Sequence, residues 1–278
     1  MFPLPSSSKT LPVLVLLSVL EIGVSSTPSW ADQSLARVLR NNRLSVGVDA
    51  SVGQPYLFWN PRSQYLDGFE WEIARELASR LKVDIQPVNL PWQEQPQQLQ
   101  AGKVDIILST REQGSLDNSK FAESTPYYIT SQRFLVRRGA VLIRSFRDLI
   151  GKRVGVVTGS GGAALVETYN RNRSNAIRVF VSPDINRMVK QISDRQLDVL
   201  ILDEPLALWQ AKQNPNLAVV GAPLLRIGLV VVVNKQDEAL RQAIDQALAE
   251  MRQSGKLEQI LRRWQLWQPQ PSLSSSAD

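Results

Sequence analysis

Leu197-Asp198-Val199-Leu200-Ile201-Leu202-Asp203-Glu204-Pro205 is the stretch that decides the fold. Four consecutive apolar residues, Val199 to Leu202, are too few for a core helix and fit a strand of a parallel sheet buried on both faces. The run stops at Asp203, at the carboxyl end of that strand, where ligands sit in open α/β sheets. Pro205 suits the first turn of a helix expected over Leu206 to Lys212. Two readings of Asp203 follow from pattern alone: a cap for that helix, or a carboxylate offered to a ligand.

The design recurs. Lys103-Val104-Asp105-Ile106-Ile107-Leu108-Ser109 again places an apolar strand after an Asp and ends on a polar group. Leu44-Ser45-Val46-Gly47-Val48-Asp49-Ala50-Ser51 likewise matches Arg153-Val154-Gly155-Val156-Val157-Thr158-Gly159-Ser160. Each Val-Gly-Val strand precedes its own Asp-apolar strand, with a helix and further structure between them. The chain therefore reads as two similar α/β lobes in series, with a ligand cleft between them.

Composition narrows the chemistry. At 278 residues, 43% hydrophobic and 21% charged, the chain can fill two modest domains. It has no Cys and no His. That excludes disulfides, thiolate nucleophiles, Cys/His zinc sites and His-dependent triads. The net charge of +6 is spread over scattered Arg and Lys without interleaved aromatics, so a solvated basic surface is expected and no nucleic-acid partner. Nothing in the pattern calls for a cofactor or a metal.

Residues 1–31 have the layout of a secretory signal: Lys9, an apolar run from Leu11 to Leu20, and Ser29-Trp30-Ala31 before Asp32. The run is short of the roughly 20 residues a membrane span needs. A short helix over Leu35 to Asn41, capped by Ser34, precedes the first strand. The stretch Asp49 to Asp67 reads as an aromatic-rich loop carrying Tyr56. Helices are expected over Phe69–Leu81, Glu94–Ala101, Ala163–Asn170, Ile185–Asp194, Asp237–Gln253 and Lys256–Leu266. Strands are expected over Val83–Val88, Ile129–Arg137 and Leu229–Val233. Residues 269–278 have the composition of a disordered tail.

Gly159-Ser160-Gly161-Gly162 ends a strand and opens a helix, so its N–H groups suit an oxyanion, a carboxylate being the modest inference. It lacks the Gly-Lys-Ser/Thr of a P-loop and the Gly-x-Gly-x-x-Gly of a dinucleotide site; a simple packing turn is the competing reading. Trp92 and Tyr56 fall near the presumed cleft and offer aromatic faces to an aliphatic stem or a cation. Asp49, Glu112 and Asp203 are the acids at or just past strand ends.

Taken in order, Val46-Gly47-Val48-Asp49, Gly68-Phe69-Glu70-Trp71-Glu72-Ile73-Ala74, Gly102-Lys103-Val104-Asp105, Pro126-Tyr127-Tyr128, Gly151-Lys152-Arg153-Val154-Gly155-Val156 and Asp203-Glu204-Pro205 resemble family 3 of the bacterial extracellular solute-binding proteins. The resemblance covers about Leu44 to Trp267. It implies the type II periplasmic binding protein fold, an α/β fold of two lobes joined by two hinge strands. Lobe 1 would then comprise 32–130 and 222–268, and lobe 2 would comprise 131–221. It further implies a non-enzymatic, monomeric periplasmic receptor that closes on an amino acid or related ligand and serves an ABC transporter permease. By the same resemblance Asp203 holds the ligand's α-ammonium, the Ser160-Gly161 turn its carboxylate, and Trp92 stacks on it. Asp49 and Tyr56 line the first-lobe loop, and Ser109 ends a strand at the cleft.

One departure stands out. The family's Ser/Thr-x-x-x-x-Arg places an Arg on the ligand carboxylate. Counted without gaps, that Arg is Asp117 here and the usual Thr is Glu112. Either the neighbouring Arg111 substitutes, or the ligand is not a standard α-amino acid; three acids at the cleft then favour a cation. Two further readings remain: a dehydratase on the same fold with Glu112 as general acid, and a sensor for a membrane receptor.

Overall fold

The computed structural model describes residues 33–140, 143–171, 173 and 176–267. The expected signal segment and the 269–278 tail lie outside the described residues.

The chain opens with α1 (Gln33–Arg40), β1 (Arg43–Val48), a hairpin of β2 (Phe58–Asn60) and β3 (Tyr65–Asp67), and α2 (Phe69–Arg80). There follow β4 (Asp84–Asn89), α3 (Gln95–Gln100), β5 (Ile106–Ile107), β6 (Phe121–Glu123) and β7 (Tyr128–Arg137). Next come β8 (Arg153–Val157), α4 (Gly161–Arg171), β9 (Arg178–Ser182), α5 (Ile185–Ser193), β10 (Val199–Asp203) and α6 (Glu204–Gln213). The long β11 (Leu217–Leu229), β12 (Val232–Asn234), α7 (Glu238–Gln253) and α8 (Lys256–Arg263) end the described chain.

Two five-stranded sheets carry the molecule, in the orders β4-β1-β5-β12-β6 and β11-β7-β10-β8-β9. In the first, β1 runs parallel to both β4 and β5, while β12 runs antiparallel to β5 and β6. The second is mixed: β10 is parallel to β8 but antiparallel to β7. The expectation of a parallel environment for β10 thus holds on one side only. The burial expectation holds on both faces. Leu200 and Leu202 join the core that includes Met188, Ile192 and Leu206, while Val199 and Ile201 join Phe134, Val154 and Val166 on the other side. That two-faced burial is why the strand carries no polar alternation.

The glycine in Val154-Gly155-Val156 has a packing reason. A Cβ there would stand 2.4 Å from Leu200 Cδ2 and 2.9 Å from Leu197 Cδ1. In α7 the apolar Leu240, Ile244, Leu248 and Met251 recur at helical spacing, and all are buried.

The chain passes between the sheets twice, from β6 to β7 and back from β11 to β12. These crossings lie side by side. Ser124 N–H donates to Val231 O at 2.9 Å, Val231 N–H to Ser124 Oγ at 2.9 Å, and Tyr127 N–H to Leu229 O at 2.9 Å. Two adjacent crossings give the two-lobed type II arrangement its pair of hinge strands.

Several local expectations need correction. The helix expected from Leu35 begins at Gln33, so Ser34 lies inside it. The strand expected over Lys103–Ser109 keeps regular pairing only at Ile106–Ile107. The Asp49–Asp67 loop contains the β2–β3 hairpin, and β9 and most of β11 are strands that periodicity did not mark. The helix expected from Asp237 begins one residue later, at Glu238.

Candidate functional site

A cavity of about 390 Å³ opens between the sheets. The first sheet's loops contribute Asp49, Trp92, Thr110 and Glu112 to its wall, and the second sheet's strand ends contribute Thr158, Gly159, Ser160 and Asp203.

Asp203 ends β10 and directly precedes α6, yet its side chain makes no capping hydrogen bond to that helix. The carboxylate instead accepts from Gln132 Nε2 on the paired strand β7 and from the Tyr56 hydroxyl at 3.4 Å. Burial pushes its pKa up to about 7, and the nearby Glu112 carboxylate adds to the rise. Of the two sequence readings, the cap is the one the geometry does not adopt.

Glu112 reaches the opposite lobe. Its Oε1 accepts from Gly161 N–H at 3.2 Å, at the start of α4, and from Gln132 Nε2 at 3.5 Å. Burial raises its pKa, opposed by the Gly161 hydrogen bond. The turn before it is held by Ser160, whose Oγ accepts from Ala163 N–H at 3.2 Å.

Asp49 is already committed. One oxygen accepts from Trp92 N–H at 2.8 Å, and the other from Ser51 N–H at 2.8 Å and Ser51 Oγ at 2.6 Å. It fixes the loop that presents Trp92. The indole Nε1 donates to Ser109 O at 3.0 Å, so Ser109 serves through its carbonyl and its side chain is buried off the cavity wall.

Arg111 is 1% exposed and does not line the cavity. Its guanidinium lies 3.7 Å from the centroid of the Trp92 ring, and Nη2 donates to Trp92 O and, at 3.0 Å, to Gln95 Oε1. Burial lowers its pKa to about 10, opposed by Asp49, which leaves it cationic at neutral pH. Arg111 buttresses the tryptophan from behind the cavity wall. Tyr56 is also fully buried and meets the site only through its hydroxyl.

Residues the sequence reading did not single out complete the site. Gln132 bridges Glu112 and Asp203. Glu70, fully buried on α2, accepts from Thr110 N–H at 2.9 Å and from the Tyr127 hydroxyl; burial raises its pKa to about 7. The one available signal for Glu70 was an acid set among apolar residues at a helix start. Among the described residues, no three His, Cys, Asp or Glu side chains gather as a metal site. No described helix is long and apolar enough to cross a membrane.

The family model described as bacterial extracellular solute-binding proteins, family 3, matches residues 44–266. The L-cystine-binding protein TcyJ of Escherichia coli K12 is 28% identical over 252 residues, covering 90% of this chain and 92% of the relative. The histidine-binding periplasmic protein of the same strain is 24% identical, covering 88% and 95%. Among solved structures, a mutant of ArgBP from T. maritima superimposes with a TM-score of 0.74 at 25% identity, covering 83% of this chain and 98% of that one. An ancestral arginine-binding protein bound to arginine gives a TM-score of 0.73 at 26% identity, covering 80% and 98%.

Proposed function

The chain belongs to family 3 of the bacterial extracellular solute-binding proteins, and from that membership we propose that it is a periplasmic receptor for a small polar solute, an amino acid or a related cation. It acts as a binding protein, not an enzyme. It is exported by its first 31 residues, works as a monomer, and hands its ligand to the permease of an ABC importer. Lobe 1 comprises 32–130 and 222–268, and lobe 2 comprises 131–221. Asp203 is the residue that grips the ligand's ammonium, with Trp92 lining the same cavity.

The observation that carries this reading is the placement of Asp203. A carboxylate that lies next to a helix start but leaves it uncapped, and borders a cavity lined from both sheets, is available to a cation. Ligand binding stabilises the closed arrangement of the lobes, and the paired crossings at Ser124–Tyr127 and Val230–Val231 absorb the motion. The binding functions named for TcyJ and the histidine-binding protein support the receptor reading over a dehydratase.

The test is thermal unfolding of the purified protein against amino acids, amines and small organic acids. A ligand at 1,000 times its Kd adds about 4 kcal/mol and moves Tm clearly upward. Upward shifts confined to one ligand class support the receptor. Turnover of a prephenate-like acid contradicts it.

A further inference from the structure

Three backbone amides around the cavity are already held by carboxylates of the chain itself. Trp92 N–H donates to Asp49 at 2.8 Å, Thr110 N–H to Glu70 at 2.9 Å, and Gly161 N–H to Glu112 at 3.2 Å. The last is the most telling. Gly161 begins an 11-residue helix whose N-terminus carries the positive end of the dipole. The Glu112 carboxyl lies directly over it, so that a Cβ on Gly161 would stand 2.8 Å from Oε1 and 2.9 Å from Oε2. The position that an incoming carboxylate needs at this helix start is filled from lobe 1.

No Lys or Arg lines the cavity among the described residues. The candidate that the sequence offered, Arg111, is sealed against the Trp92 ring and spends Nη2 on Trp92 O and Gln95. The wall therefore carries Glu112 and Asp203, bridged by Gln132, with no counter-cation beside them. An α-carboxylate brought here meets like charge and finds its helix seat taken, whereas an amine meets two carboxyls.

We propose that Glu112 stands in for the ligand's carboxylate, and that the cavity takes a small organic cation with no carboxylate of its own, of the diamine or guanidinoalkyl-amine kind. The proposal rests on the receptor reading above and narrows its ligand class. The Glu112 carboxyl bridges the lobes to the Gly161 amide while Asp203 receives the ammonium. The second positive group of the ligand sits against Glu112.

Calorimetric titration with matched pairs tests this: lysine against cadaverine, ornithine against putrescine, arginine against agmatine. The members of each pair differ only by the carboxylate. In the unaltered protein at least one amine is expected to bind about 100-fold more tightly than its parent amino acid, the scale of one charged hydrogen bond lost and a repulsion gained. Glu112→Ser frees the Gly161 amide and should shrink or reverse that preference. Glu112→Gln, which keeps the side chain's shape, should also shrink it and serves if the serine variant fails to fold. Equal or tighter binding of the amino acids by the unaltered protein would overturn the proposal and leave the receptor standing. An amine preference that survives both substitutions would overturn the role given to Glu112. No binding by either member of any pair would overturn this inference, while a Tm shift with another ligand in the wider panel would leave the receptor reading standing.

Discussion

Arg111 and Asp203 show how far one residue's role depends on what folds against it. Both were legible as candidates, because each follows an apolar strand, yet their surroundings come from elsewhere in the chain. Arg111 is committed to Trp92 and Gln95, 19 and 16 residues away in sequence. Asp203 pairs with Gln132, 71 residues away, and with Tyr56, 147 away. Such pairings leave no local trace, which is why Gln132 and Glu70 escaped the sequence reading. If Arg111 is a buttress, Arg111→Ala should cost about 2–4 kcal/mol in urea unfolding, from lost charged hydrogen bonds and stacking in a buried place. Unchanged stability with abolished binding would make it a ligand contact instead. Asp203 carries a pH signature. Its folded pKa of about 7 lies above the ordinary 3.8. Its contribution to stability is therefore fully present below pH 4 and is lost as pH rises through 7. Asp203→Asn should accordingly gain on the unaltered protein between pH 5 and pH 8 in urea midpoint; a constant difference would remove the buried, uncompensated carboxyl.

At the scale of elements, what was legible follows burial. Strand β10, buried on both faces, and helices α2, α5, α6 and α7 were found within a residue or two of their observed ends. Strand β9 lies at a sheet edge and is exposed or half-buried along its length, and its apolar run is only the three residues Val179-Phe180-Val181. Strand β11 contains Gly221 and Pro223, has two register shifts against β7, and so reads locally as a turn. The β2–β3 hairpin has three residues a side. It ends at Gly68, which links the loop to α2. Gly68 has φ +118°, and a Cβ there would stand 2.1 Å from Tyr56 O. Its neighbours Phe69 and Glu70 donate their N–H groups to Pro55 O and Tyr56 O. Gly68→Ala should cost at least ~2 kcal/mol, lowering Tm by roughly 5 °C, because both the backbone conformation and the contact resist the methyl group. A Tm within a degree of the unaltered protein would contradict that account.

The molecule as a whole was the most legible level. The echo of Val-Gly-Val and Asp-apolar strands announced two lobes, and the order of motifs announced the family that the 44–266 match identifies. The site was legible in its acids and its tryptophan but not in its internal pairing. A count along the chain put Glu112 where a Thr is usual, but only the fold brings it onto Gly161 in the other lobe. If Asp203 holds a cation in the cavity between the lobes, as we propose, removing its carboxylate must weaken binding. The most direct measurement is calorimetric titration of the ligand that raises Tm most, into the unaltered protein and into Asp203→Ala. The account expects the variant to fold and to bind at least ~100-fold more weakly, the scale of a charged hydrogen bond removed from a buried site. Equal affinity in the two proteins would contradict it.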